Sequence, residues 1–465
     1  MILGFGMAPT RCAHKLSANK QQERVDNLMS FLKTATCQQM STKLRDVWAV
    51  PQSTITEARL LLTLGADPSC LYEDDYGEVT LQNRVDSGSV CKDCKAKFDT
   101  FLLHSIIIYE HMCEQTPIQI PRDGKKTNGS GLLPLCLDGG GMRGLVSVVC
   151  LLFSSRRILG DESLVNYFDW FIGTSTGSML ALSTAKGLSL SQCFYLYWEM
   201  KRQIFLEGST MSRLLGDQVT IQTKNIETVL SECFPSETFH SCNRRLTVPA
   251  LDISIQPARL HIFRNYSFVT PFGYPLSDEQ DIYFKDAARA SSAAPTYFEP
   301  FSYNSKKYVD GSFVANYPLN ILFKEFDSFR KHRNPITLAG VVSIGTGEPE
   351  VSERKYKSGT TWKSKAKNIT HLSTLILEQV VGQDLTAVEM AQERCLAHNI
   401  PFVRISPKGI NVRIDQIDDG KLMDMIWTSL LWLVDNVREV DKLGELVFKL
   451  HAVPDERKRR SNTVL

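Results

Sequence analysis

The chain has 465 residues, enough for more than one domain or for one large domain with additions. Apolar residues make up 43% and charged residues 22%, the balance of a soluble globular protein, and a net charge of +2 gives no global field that argues for nucleic acid. No run approaches the ~20 apolar residues that span a bilayer; the longest, Phe101–Tyr109 and Leu145–Phe153, are too short.

The N-terminal MILGFGMAPTR lacks a basic region ahead of its apolar stretch and makes a poor secretory signal. Arg11, Lys15 and Lys20 leave a mitochondrial address as an alternative to a cytoplasmic one, with Glu23 against it. The twelve cysteines are scattered, several within apolar runs, and read as reduced thiols. Cys91 and Cys94 form a lone C-x-x-C with no second ligand pair, so no metal site is assigned.

Residues 1–114 form a small, mostly helical N-terminal region in which 1–57 show no clear period. Within it, 58–82 (ARLLLTLGADPSCLYEDDYGEVTLQ) resembles one ankyrin repeat. Gly65 is placed to end a helix and Pro68 to stop it, while Val79 interrupts the usual Gly-x-Thr spacing. An array needs ~3 repeats, so this is a remnant or a capping unit. Residues 115–131 (QTPIQIPRDGKKTNGSG) read as a linker.

From Leu132 to about Ser406, short apolar strands alternate with helical stretches, which predicts an α/β sheet covered by helices. The expected strands are 133–137, 170–172, 246–252, 260–264 and 337–343. Helices are expected after two glycine motifs and over 189–200 and 226–233.

Those motifs carry the chemistry. The second, FDWFIGTSTG, sets Ser175 in a G-x-S-x-G turn between an apolar strand and a helix, with Gly173, Thr174, Thr176 and Gly177 forming the elbow. The first, LCLDGGGMRG, offers Gly139, Gly140, Gly141, Met142, Arg143 and Gly144 as a loop of backbone N–H donors at a helix start. That suits an oxyanion hole. It also matches a dinucleotide fingerprint, with Asp161 and Glu162 near the required distance but in a turn before any second strand. Arg143 either braces the loop or meets a phosphate. None of the nine histidines sits in a catalytic-looking turn, whereas Asp310 follows a short strand in an Asp-Gly turn and could serve as base if burial raised its pKa.

The ordered set DGGGMRG at 138–144, GTSTG at 173–177 and DGS at 310–312 resembles the patatin-like phospholipase family. LHIFRNY, AARASSAAPTYFEP and VVSIGTG resemble its calcium-independent phospholipase A2 branch, of the beta type with N-terminal ankyrin repeats. The resemblance implies a three-layer α/β/α sandwich, with a catalytic core at 132–325 and a continuation at 326–465. It implies Ser175 as nucleophile, Asp310 as base, no histidine, no cofactor and no calcium. The implied reaction is sn-2 hydrolysis of glycerophospholipids through an acyl-enzyme, with lysophospholipase activity a further expectation. Ser178, Ser292 and Ser312 depart from the family pattern, each a small residue where the pattern has glycine or alanine. The competing readings are a catalytically silent scaffold and a nucleotide-binding protein.

A peripheral membrane contact is expected at 354–367, with six basic residues (Arg354, Lys355, Lys357, Lys363, Lys365 and Lys367), Trp362 and no acid. Met423, Ile426, Trp427, Leu430, Leu431 and Val434 form a helical stripe, but 421–442 holds three basic and four acidic residues. That balance favours a core or homo-oligomer helix over a calmodulin target. The RKRR cluster at 457–460 reads as a solvated tail.

Overall fold

A computed structural model describes residues 18–49, 55–71, 92–113, 115–118, 131–204, 217–266, 281–330, 336–350 and 386–451. The chain divides into two compact units, Met1–Thr116 with Asp418–Asp435, and Pro117–Ile417 with Asn436–Leu465.

The first unit is helical, built from Ala18–Leu32, Cys37–Ala49, Ile55–Thr63, Lys92–Cys113 and Asp419–Asp435. Leu60 and Leu61 are fully buried, and Trp48 stacks on Phe101 at 5.5 Å. Phe101 in turn meets Trp427 at 5.5 Å. The helix Asp419–Asp435 therefore belongs here and not to the 326–465 continuation expected from chain order. Of the stripe, Met423, Ile426, Trp427 and Leu430 are buried in the core, and Leu431 and Val434 are half-buried. Arg59 pairs with Asp424 at 2.5 Å and lies over the Trp427 ring. The helix Ile55–Thr63 ends as its glycine predicts: Gly65 has φ 102°, the Ala66 N–H reaches the Leu61 carbonyl, and Pro68 opens a single 3-10 turn. The rest of the ankyrin-like stretch, the linker residues 119–130, the basic 354–367, the 457–460 cluster and the Cys91 and Cys94 side chains lie outside the described residues.

The second unit holds one mixed sheet of β1 (Pro134–Leu137), β2 (Trp170–Gly173), β3 (Arg245–Asp252), β4 (Arg259–Arg264), β5 (Phe301–Tyr303), β6 (Lys306–Val309), β7 (Val341–Ile344) and β8 (Phe402–Ile405). Its order is β5-β6-β3-β2-β1-β7-β8, with β4 also on β3. The run β3-β2-β1-β7-β8 is parallel; β4, β5 and β6 pair antiparallel. β1, β2 and β7 are buried throughout, which explains why they read as continuous apolar runs with no alternation. Cys136, Trp170 and Ile172 share a cluster with Leu319, Leu322 and Phe323 from the helix Leu319–Arg330 and Ala391 from the helix Thr386–Ala397. Helices Gly144–Leu159 and Val437–His451 pack together and against β7 and β8. This is the expected three-layer α/β/α arrangement. The strand expected at 337–343 begins only at Val341, because Leu338 makes an isolated bridge to Leu132. The helix expected at 226–233 begins at Asp217, since the polar stretch before Ile226 carries no start signal that pattern reading recognises.

One irregularity places the site. β4 pairs with β3 along Thr247–Asp252 on one edge. On the other edge β2 pairs with Arg245–Thr247 and β6 with Leu251–Asp252, so β2 and β6 run toward each other and stop short. Pro249 stands opposite the gap. It has no N–H to leave unpaired, and its carbonyl accepts a hydrogen bond from Ser291 Oγ at 2.6 Å.

Candidate active site

The two converging strand ends deliver the two residues singled out from the sequence. Beyond β2, Ser175 adopts φ 52° and ψ −124° and caps the helix Thr176–Lys186. A positive φ is strained for a residue with a side chain and recurs at functional turns. The elbow closes so tightly that a Cβ on Gly173 would lie 2.2 Å from the Gly177 carbonyl oxygen, and one on Gly177 would lie 2.3 Å from that of Leu137. Thr174 pins the turn by donating from Oγ1 to the Ala315 carbonyl at 2.6 Å.

Beyond β6, Asp310 meets the serine: Ser175 Oγ donates to Asp310 Oδ2 at 2.7 Å. The other carboxylate oxygen accepts the Ser312 N–H at 2.7 Å. Asp310 is 3% exposed. Burial pushes its pKa up from 3.8 to about 6, against the downward pull of the Ser312 N–H and the Ser175 and Ser312 hydroxyls. Ser291 Oγ, held by Pro249, accepts the Ser175 N–H at 3.0 Å. The Ala293 carbonyl accepts the Asp310 N–H at 3.1 Å. No histidine lines the cleft among the described residues.

The glycine loop follows β1 at the point where strand order reverses between β1 and β7, a position where open α/β sheets bind ligands. The six loop residues are not equivalent. Gly139 donates its N–H to Asn316, Met142 to Ile414, Arg143 to Gly140, and Gly144 to Gly141 and Met142. Those four donors are occupied within the protein. Gly140 and Gly141 line the cleft with Ser175, and no backbone bond takes their N–H groups among the described residues. Gly141 has φ 58°. Thr346, from the VVSIGTG block, holds the loop by donating from Oγ1 to the Gly139 carbonyl at 3.0 Å. Asp138 is buried and pairs with Arg404 at 2.7 Å. Burial raises its pKa and Arg404 opposes the rise. Arg404 also donates to Ser343 Oγ at 2.6 Å and lies over the Tyr317 ring. Arg143 is buried and does not line the cleft, which fits bracing of the loop.

The dinucleotide alternative finds no support. Asp161 accepts from Ser163, and Glu162 is engaged by Arg156 and Ser191. The loop faces a serine elbow and an apolar cleft of about 640 Å³, open mouth included. Met179, Met200, Ile204, Ile226 and Phe298 form its apolar wall. Two departures from the family pattern have local roles: Ser178 donates to the Ser175 carbonyl at 2.6 Å, and the Ser312 hydroxyl hydrogen-bonds Asp310. Ser292 lines the cleft without a hydrogen-bond partner for its Oγ.

Sequence reading missed Asn316 and Arg404, whose partners Gly139 and Asp138 lie far away in the chain and leave no local signal; Ser291 and Thr346 lie in blocks already noted.

A serine elbow, a carboxylate and a donor loop on this sheet define a patatin-like phospholipase domain, and residues 135–323 match the family model of that description, patatin-like phospholipase. The chain is 28% identical over 344 residues to the 85/88 kDa calcium-independent phospholipase A2 of Mus musculus, covering 67% of this chain and 40% of that protein. It is 27% identical over 346 residues to the intracellular phospholipase A2 of Caenorhabditis elegans, covering 72% and 31%. It is 25% identical over 314 residues to the cGAMP-activated phospholipase of Escherichia coli strain TW11681, covering 63% and 85%. Residues 135–323 thus carry a patatin-like phospholipase domain, and the mouse and nematode relatives the chain resembles are named phospholipases A2. It spans less than half the length of the mouse and nematode relatives.

Proposed function

We propose that the chain is a lipid ester hydrolase, a phospholipase A2 that cleaves the sn-2 ester of glycerophospholipids without calcium. The observation that carries this reading is the 2.7 Å bond from Ser175 Oγ to Asp310 Oδ2 at the mouth of an apolar cleft. An acyl chain lies along Met179, Met200 and Phe298, and its ester carbonyl faces the Gly140 and Gly141 N–H groups. Asp310, ionised above about pH 6, takes the Ser175 proton as Oγ attacks the carbonyl carbon. The two N–H groups stabilise the oxyanion as it forms. Asp310 returns the proton to the leaving glycerol oxygen, and water then releases the fatty acid. Lysophospholipids enter the same cleft. The protein meets bilayers from the cytoplasmic water phase, with basic residues 354–367 as the contact.

The test is release of sn-2 fatty acid from phosphatidylcholine vesicles in excess EGTA. Wild type is expected to hydrolyse, and Ser175→Ala and Asp310→Asn each to lose activity by orders of magnitude, as members of one unit do. A folded wild type with no activity on phospholipids or acylglycerols would return the domain to the silent-scaffold reading.

A further inference from the structure

We propose that Ser312 is a positioning residue for the base: its hydroxyl holds the Asp310 carboxylate toward Ser175 and so sets how far into acid this domain works. The inference rests on the Ser175–Asp310 reading above.

β6 ends at Val309, and the chain turns sharply after Asp310. A Cβ on Gly311 would lie 2.3 Å from the Pro249 carbonyl oxygen, so the turn is pressed against β3 and its course is fixed. Ser312 then opens the short helix Ser312–Ala315. From there it bonds Asp310 twice. Its N–H reaches Oδ1 at 2.7 Å, and its hydroxyl bonds the same carboxyl group. Oδ2 takes Ser175 Oγ at 2.7 Å. An ionised carboxylate only accepts, so the Ser312 hydroxyl donates.

A serine at a helix start ordinarily spends its oxygen on capping the helix. Here the N-cap is Gly311, and no side chain caps the helix. The Ser312 side chain instead lines the cleft, 7% exposed. A Cβ on Gly139 would lie 2.7 Å from Ser312 Oγ and 3.4 Å from Ser175 Cβ. The hydroxyl is thus set against the glycine loop, beside the nucleophile.

The elements packed around Asp310 carry Lys306 and Lys307 on β6, Asp252 on β3, Arg289 on the helix Phe284–Ser291, and Asp138 and Arg143 at the glycine loop. None of these charges moves its pKa; burial raises it, and only the Ser312 N–H and the Ser175 and Ser312 hydroxyls lower it. The buried base is kept ionised by neutral donors alone. One of them is an addition of this chain, since the family pattern has glycine or alanine where Ser312 stands.

The experiment is the pH profile of kcat/KM for p-nitrophenyl butyrate, an uncharged ester, hydrolysed by the full chain, with fluorophosphonate labelling rates over the same range. Wild type is expected to show its acid limb at about pH 6. Ser312→Ala and Ser312→Gly are expected to move that limb up by about one pH unit in both measurements, the scale of one hydrogen bond to a charged group. The midpoint is read independently of plateau height. A limb that stays at the wild-type pH in both variants overturns the proposal, and a lower plateau with an unmoved limb marks a merely structural role. An Asp310→Asn variant as fast as wild type, or a wild type neither labelled nor active, overturns the Ser175–Asp310 reading first and this inference with it.

Discussion

Replacing Asp310 with asparagine should separate catalysis from stability, with opposite signs. The buried carboxyl titrates at about 6 in the folded chain against 3.8 for an unperturbed aspartate. That difference corresponds to about 3 kcal/mol at 1.36 kcal/mol per pH unit. Because the folded-state pKa is the higher one, the folded chain binds the proton more tightly than the unfolded chain. The carboxyl's contribution is therefore fully favourable below pH 3.8 and is lost as pH rises to about 6. At neutral pH wild type carries the whole cost. Asparagine keeps the local bonds: its oxygen accepts the Ser312 N–H, and its amide donates to Ser175 Oγ. Asp310→Asn should thus unfold at higher urea concentration than wild type at pH 8, by up to about 3 kcal/mol, with the gap closing toward pH 4. The same titration should appear in wild-type kcat/KM on an uncharged ester, rising tenfold per pH unit below about 6 and flat above. An activity limb centred near pH 4, or an Asp310→Asn variant less stable than wild type at pH 8, would refute this account of the buried carboxyl.

Gly140→Ala would bring a Cβ within 2.4 Å of Thr346 Oγ1 and 2.7 Å of its Cβ, so the loop must move and take the Gly140 N–H with it. Loss of one such donor lowers kcat by about 10²–10³; steady-state hydrolysis with KM little changed is the expected result. Arg404→Met leaves the Asp138 carboxylate buried without its partner and should cost about 3–5 kcal/mol in urea unfolding, as for other broken buried pairs. Ser291→Ala strips the Ser175 N–H and the Pro249 carbonyl of their shared partner; about 1–3 kcal/mol of stability should go, with slower fluorophosphonate labelling.

What the sequence made legible was local. Ser175 and the glycine loop could be placed because a strand, a tight turn and a helix follow one another within a dozen residues. β1, β2 and β7 stood out because burial on both faces demands unbroken apolar runs. The loop's division of labour was not legible. All six residues from Gly139 to Gly144 look alike as donors until Asn316 and Ile414 are seen to take two of the N–H groups. Arg404 lies 266 positions from the Asp138 it holds. The helix Asp419–Asp435 showed its apolar stripe plainly, yet no periodicity says which core a stripe enters, and chain order pointed to the wrong one.

The stretch of β3 around Pro249, which neither β2 nor β6 pairs, gives strand length a meaning of its own. Extending β2 or β6 by a residue or two would complete the ladder, and the backbone would fill the space where Ser175 and Asp310 face each other. Shifting β6 by a single residue would instead turn Asp310 to the opposite face of the sheet. Homologous domains should therefore tolerate insertions in the turn between β5 and β6 far better than within Lys306–Asp310. If Asp310 acts as proposed, a one-residue indel near the aspartate should be as inactivating as replacing the aspartate, even though every motif letter survives.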